Sequence, residues 1–234
     1  MRLLLISNST NAGEAYLEHP LEQIKSFLGG TMVNALFIPY AGVTISFDVY
    51  TSRVRKRFQE IGHDITSIHE TEDPVRAVQH AQAIVVGGGN TFHLAKLMQD
   101  QGLMDPIRKE VLAGTPYIGW SAGSNMACPS IRTTNDMPIV EPASFRTLDL
   151  LPFQINPHYL DANPEGHAGE TREMRIEEFI EVNPDMFVVG LREGTMLRIE
   201  GEDIQLLGPK AARIFKKGQP PFEAEPGADF SFLY

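Results

Sequence analysis

Cysteine is almost missing from this chain. Cys128 stands alone in 234 residues, which excludes an internal disulfide framework and every zinc or iron–sulfur site built from several cysteines. Long apolar runs are missing too. No stretch approaches the roughly 18–20 consecutive residues that cross a bilayer, so no membrane partner is expected. After Met1-Arg2 only Leu3 to Ile6 are apolar before Ser7-Asn8-Ser9, whereas a secretory signal needs about 7–15 apolar residues. The start therefore reads as a first strand, and the expected location is cytoplasmic. Basic charge is scarce: 20 Lys and Arg face 30 Asp and Glu, and the net charge of −10 argues against a nucleic-acid partner. Hydrophobic residues at 42% still suffice for an ordinary globular core.

What is present alternates. Short apolar runs at 2–7, 33–39, 64–68, 82–86, 115–119 and 186–191 predict buried strands. Between them, Phe47, Tyr50, Val54, Phe58 and Ile61 form one helical stripe that ends at Gly62. Asp73-Pro74 opens a short helix to about His80. Asn90 or Thr91 caps another, with Phe92, Ala95 and Met98 on one face. Thr171 opens a helix through Ile176, Phe179 and Ile180 that stops before Asn183-Pro184. Strands alternating with helices predict an α/β fold: a mostly parallel sheet flanked by helices on both faces. Residues 129–170 show no long periodic segment, so functional loops are expected there. Short strands at 196–199, 204–207 and 212–215 and a Pro/Gly-rich tail follow. With no repeat and no linker, 1–234 reads as a single catalytic α/β domain.

Gly119-Trp120-Ser121-Ala122-Gly123 follows an apolar strand and precedes a helix, the context of a G-x-S-x-G nucleophile elbow. A serine on so sharp a turn needs small neighbours, and the helix N-terminus behind it favours developing negative charge. Gly87-Gly88-Gly89-Asn90-Thr91 follows strand 82–86. It has no Walker lysine and no dinucleotide spacing, but lets backbone N–H groups approach a ligand, as an oxyanion hole or anion nest does. Both segments could also be plain turns. A serine nucleophile needs a base, and His158, fixed by Pro157 in the irregular region, is the first choice, with His167 second. No histidine pair has metal-site spacing, so no metal is expected. Cys128 reads as a small buried apolar residue.

The elbow, the glycine turn and Asn156-Pro157-His158 are joined by further stretches: Leu5-Ile6-Ser7-Asn8-Ser9, Phe37-Ile38-Pro39, Ala41-Gly42-Val43-Thr44, the run from Ile131 to Pro138, Pro164-Glu165-Gly166-His167 and Gly169-Glu170-Thr171-Arg172. Together they closely resemble the peptidase E family, the aspartyl dipeptidases among serine peptidases, over nearly the whole chain. The resemblance implies a three-layer sandwich like class I glutamine amidotransferases (flavodoxin-like), a Ser–His–acid triad, and hydrolysis of dipeptides with N-terminal aspartate. In that reading Ser121 attacks and His158 is the base. Gly88 or Gly89 with Ala122 would hold the oxyanion, and no cofactor is needed. The partner is a small peptide substrate, and a homodimer is left open. Two alternatives stand beside it: a cyanophycinase-like peptidase or other serine hydrolase on the same scaffold, and a non-catalytic ligand-binding α/β protein.

Two acids compete for the third triad position. Asp136 lies between serine and histidine in the Ser…Asp…His chain order of many hydrolases. Glu193 lies just past a strand, on a rigid element where ligands bind in open α/β sheets. Both are retained. For substrate binding, Arg172 and Arg132 could read the aspartate carboxylate, Glu170 the free ammonium, and Asn90 lies beside the glycine turn.

Overall fold

The computed structural model describes residues 1–163, 166 and 168–234. Five strands, β1 (Arg2–Ile6), β2 (Asn34–Ile38), β3 (Asp64–Ser67), β4 (Ile84–Val86) and β5 (Tyr117–Trp120), pair in parallel in the order β3-β2-β4-β5-β1. Later in the chain come β6 (Gln154–Tyr159), β7 (Val188–Arg192), β8 (Met196–Glu200) and β9 (Asp203–Leu207). β8 and β9 extend the sheet beyond β1 as antiparallel strands, which makes seven.

The helices are α1 (Leu21–Leu28), α2 (Phe47–Glu60), α3 (Pro74–Gln79), α4 (Thr91–Asp100), α5 (Met104–Leu112), α6 (Ala122–Ala127) and α7 (Arg172–Val182). Alternation along each strand divides the core. Leu4, Ile6, Phe37 and Val85 pack with Ile24 and Phe27 of α1 and Val54 and Phe58 of α2. Leu3, Leu5, Ile38 and Val86 face the other way, onto α3, α4, α5 and α6 through Val78, Leu94, Ile107 and Met126. Burial on both faces is why these strands read as unbroken apolar runs. The fold is the mostly parallel α/β sandwich that the pattern predicts.

Three features differ from that pattern. The structure has two further helices, α1 and α5. Neither has a side-chain cap at its start, where Pro20 and Leu103 stand, so the usual start signal is absent from the sequence. A second sheet of four strands, β11-β10-β7-β6, forms from β6 and β7 with β10 (Ala212–Phe215) and β11 (Phe222–Ala224). Val189, Leu191 and Ile214 of this sheet join the larger core cluster, which fastens it to the first. The third difference follows: Asn156-Pro157-His158 lies on a strand, not in a loop. Among the described residues no helix is long and apolar enough to cross a membrane.

The predicted caps are in place. Asp73 Oδ1 accepts from Arg76 N at 3.0 Å, Asn90 Oδ1 from His93 N at 3.0 Å, and Thr171 Oγ1 from Met174 N at 3.2 Å.

At the elbow, glycine lies tight against backbone. A Cβ on Gly123 would lie 2.1 Å from the Val86 carbonyl oxygen, and one on Gly119 would lie 2.4 Å from that of Gly123. Gly123→Ala is therefore expected to destabilise the protein by about 3 kcal/mol or more, the upper end of overpacking. Gly30→Ala, where a Cβ meets nothing within 4 Å, should change stability by less than about 1 kcal/mol. Urea unfolding midpoints of the two variants check this.

Candidate active site

Ser121 sits between β5 and α6 with φ +52°, a conformation that costs an L-residue of order 1–3 kcal/mol and persists only where its surroundings hold it. They do. Its N–H donates to Ile6 O at 3.0 Å, and the single Ser124 hydroxyl hydrogen is shared between Ile6 O and Gly119 O, 2.8 and 3.0 Å from Oγ. Gly119 and Gly123 let strand, turn and helix close up around it, so the serine side chain projects at the carboxyl end of the sheet.

His158 reaches it from the second sheet. His158 Nε2 lies 3.0 Å from Ser121 Oγ, and Nδ1 lies 2.7 Å from Glu193 Oε1. A carboxylate only accepts, so Nδ1 carries the proton and donates it to Glu193. In the neutral ring Nε2 is then an acceptor, and the serine hydroxyl donates to it. The three groups form one hydrogen-bonded chain that stays partly open to solvent.

Asp136 does not share that chain. Its Oδ2 accepts from Thr91 N at 2.7 Å, Thr91 Oγ1 at 2.6 Å and Thr134 Oγ1 at 3.1 Å, which ties the 134–136 loop to the start of α4. All three bonds go to Oδ2, and the Nδ1–H of His158 is taken by Glu193 instead. His167, with Pro164 and Glu165, lies outside the described residues.

The glycine turn lies against the elbow. A Cβ on Gly88 would stand 3.0 Å from Ser121 Cβ, and one on Gly89, at φ +136°, 2.2 Å from Ala41 O. Trp120 Nε1 donates to Tyr50 Oη at 3.2 Å, and Tyr50 Oη donates to Gly88 O at 2.9 Å. A trans peptide sends its N–H opposite to its carbonyl, so the Gly89 N–H points away from Tyr50. The N–H groups of Gly88, Gly89 and Ala122 find no acceptor among the described residues.

Two cavities meet at Ser121 and His158. One, of about 350 Å³, is lined by Asn125, Thr134, Asn135, Asp136, Arg172 and Glu193 among others. The second, of about 660 Å³, runs past Gly88, Gly89 and Trp120 towards Tyr16 and Arg53.

Arg172, at the start of α7, is half-buried, and no carboxylate of the described residues pairs with its guanidinium. Burial lowers its pKa from the usual arginine value and Arg175 adds to this, while Asp136 opposes both. Arg132 lines a different hollow, beside Asn156 and Arg175. Glu170, which precedes α7, is exposed and 3.6 Å from Arg175 Nε, and it lines neither cavity at Ser121. Asn90 lines the larger cavity, but its amide is engaged: Oδ1 caps His93 and Nδ2 donates to Met137 O at 2.9 Å. Cys128 is buried, its thiol pushed up to about 12 by desolvation, as befits an inert packing residue.

Sequence reading passed over several wall residues. Asn125 is fully buried in α6 and donates to Ile155 O at 2.8 Å, and Thr134, Asn135 and Leu160 complete the smaller cavity. Asn125 follows Ser121 by four residues, about one helical turn, and that spacing is the available signal. Nothing local distinguishes Tyr50 from a packing residue of the α2 stripe.

Residues 3–207 match the family described as Peptidase family S51. A protein named peptidase E from Nostoc sp. is 53% identical over 232 residues, 99% of this chain and 96% of the relative. One from Salmonella typhimurium, also named peptidase E, is 49% identical over 230 residues, 98% of this chain and all of the relative. Among solved structures, a peptidase from an acI-B1 Actinobacterium shares the fold, with TM-score 0.69 and 19% identity over 97% of this chain and 94% of that one. A binding protein without catalysis does not fit this kinship. The chain belongs to peptidase family S51 and is a peptide hydrolase of the serine type.

Proposed function

We propose that this hydrolase is a dipeptidase that removes an N-terminal aspartate, with Ser121, His158 and Glu193 as its triad and Arg172 as the reader of the aspartate side chain. The observation that carries the reading is His158 between Ser121 and Glu193, at 3.0 and 2.7 Å, at the mouth of a cavity that contains Arg172. Both Peptidase E relatives support the same class.

The chemistry follows from the proton positions. His158 Nε2 takes the serine proton as Oγ attacks the scissile carbonyl, and Glu193 stabilises the imidazolium without accepting its proton. The carbonyl oxygen becomes an oxyanion, and the free N–H groups of Ala122 and of Gly88 or Gly89 are its donors. Collapse expels the leaving amine, which takes the proton from Nε2 and leaves an aspartyl ester on Ser121. Water, activated by the same nitrogen, then hydrolyses the ester. A cavity of about 350 Å³ suits one small acidic residue, and a guanidinium without a carboxylate partner among the described residues suits its side chain.

Ser121→Ala and His158→Ala are each expected to lower kcat on Asp-Leu by on the order of 10⁴–10⁶-fold with the fold intact. Glu193→Gln should lose about 10⁴-fold, because the amide can no longer fix the tautomer. Asp136→Asn should stay within roughly tenfold of wild type in kcat, provided the 134–136 loop holds. Steady-state kinetics with circular dichroism checks all four, and an Asp136→Asn loss as deep as that of Glu193→Gln would overturn the assignment. Treatment with EDTA should leave activity unchanged.

Specificity gives a separate test. Wild type should prefer Asp-Leu to Asn-Leu by about 10²–10³-fold in kcat/KM, as expected for a desolvated ion pair. Arg172→Gln should erase most of that ratio while Arg132→Gln leaves it. Equal kcat/KM for Asp-Leu and Asn-Leu in wild type would contradict a charge-reading pocket.

A further inference from the structure

We propose that Ser7 is a positioning residue for the base: its hydroxyl is wedged between β6 and β7 and creates the bulge that aims His158 at Ser121. This rests on the reading of His158 as the base.

Pairing of β6 with β7 runs in step from Gln154 opposite Val188 to Pro157 opposite Leu191. It then slips, and Tyr159 lies opposite Arg192. The residue left over is His158, with φ +54°. An unpaired extra residue bends its strand and redirects its side chain. A non-glycine residue in this conformation persists only where its neighbours over-determine it.

Here the neighbour is Ser7, the first residue after β1, with no exposed surface. Its Oγ accepts from His158 N at 2.9 Å and donates to Leu191 O at 2.7 Å. One hydroxyl thus stands between a donor of β6 and an acceptor of β7, and relays the connection that a direct ladder bond would otherwise make. The serine is itself fixed, since its N–H donates to Thr195 O at 3.0 Å.

The next residue acts on the other member of the pair. Asn8, also buried, accepts from Gly194 N through Oδ1 at 2.8 Å and donates to Asn11 Oδ1 at 2.8 Å. It holds the turn that follows Glu193. The carboxyl end of β1 is therefore the common reference for nucleophile, base and acid, because Ile6 O also receives the Ser121 N–H. Without the Ser7 hydroxyl, His158 N–H and Leu191 O are free to meet directly. The bulge would close, and the ring would leave the line between Ser121 and Glu193.

Ser7→Ala in the full-length protein should lower kcat on Asp-Leu by about 10²-fold, the size of an ångström-scale misplacement, with KM within about threefold. The low-field proton NMR signal of His158 Nδ1–H, bonded to Glu193, should weaken or vanish. It is assigned by its loss in His158→Ala. A purely structural role would lower the melting temperature and leave kcat and this signal alone, and that result overturns the proposal. Ser7→Cys keeps the shape with a weaker hydrogen-bonding group and decides the matter if Ser7→Ala does not fold. Folded with reduced kcat and a weakened signal, it supports the proposal; folded with wild-type values, or unfolded as well, it overturns it. Full activity in His158→Ala would overturn the base assignment and the proposal together. An inactive His158→Ala beside a fully active Ser7→Ala would overturn the proposal alone.

Discussion

The site depends on how closely one backbone can approach another at the end of β4. The Gly123 Cα faces the Val86 carbonyl with room for a hydrogen and nothing larger, and Gly119 faces the Gly123 carbonyl in the same way. Only this closeness lets β5 turn straight into α6 without a loop. Only a turn without a loop leaves Ser121 projecting, with the Ala122 N–H beneath it and Gly88 against its flank. The strain at Ser121, φ +52°, is held by a fully buried set of bonds to Ile6, Gly119 and Ser124. Rigidity here is a precondition of chemistry, since donors aimed in advance need no reorganisation as charge develops.

The three members of the proposed triad come from different sheets. Ser121 belongs to the seven-stranded sheet, while His158 and Glu193 lie on or just beyond adjacent parallel strands of the four-stranded one. With His158 on one strand and Glu193 directly after its neighbour, strand spacing fixes the separation of the two side chains better than loops would. It also means that the seam between sheets sets the distance from His158 to Ser121. Val189, Leu191 and Ile214 bury that seam apolar-side in, and Ser7 and Asn8 cross it with hydrogen bonds.

Much of this was legible in the sequence, for identifiable reasons. The central parallel strands announced themselves because two-sided burial makes β4 and most of β1 and β2 continuous apolar runs, whereas β3 at the edge keeps Asp64, Thr66 and Ser67. The elbow was legible because glycine on both sides of a serine has a steric cause. Helices α3, α4 and α7 had capping residues to mark them and α2 its apolar stripe, whereas α1 and α5 begin behind Pro20 and Leu103 and gave no signal. The second sheet was hidden because a strand's pattern does not say which sheet it joins. His158 read as a loop residue since Asn-Pro normally breaks a strand; here β6 is the edge strand of its sheet, where proline is tolerated. The choice between Asp136 and Glu193 turned on tertiary contacts alone. Chain order favoured the aspartate, but Thr91 and Thr134 hold its Oδ2 against the start of α4, and Glu193 is the carboxylate within reach of His158 Nδ1. Glu170 and Asn90 carried suitable chemistry, and partners in their own neighbourhoods, Arg175 for one and the α4 cap for the other, hold them.

The central claim is that Ser121 is an activated nucleophile, and covalent capture tests it most directly. The purified hydrolase, shown to cleave Asp-Leu, is incubated with a small fluorophosphonate, and its activity and intact mass are followed together. Adduct position is then read by peptide mass spectrometry. The account predicts one phosphonyl group per chain, on the peptide that carries Ser121, in step with loss of activity. Full activity without an adduct, or inactivation by labelling a different residue, would contradict it.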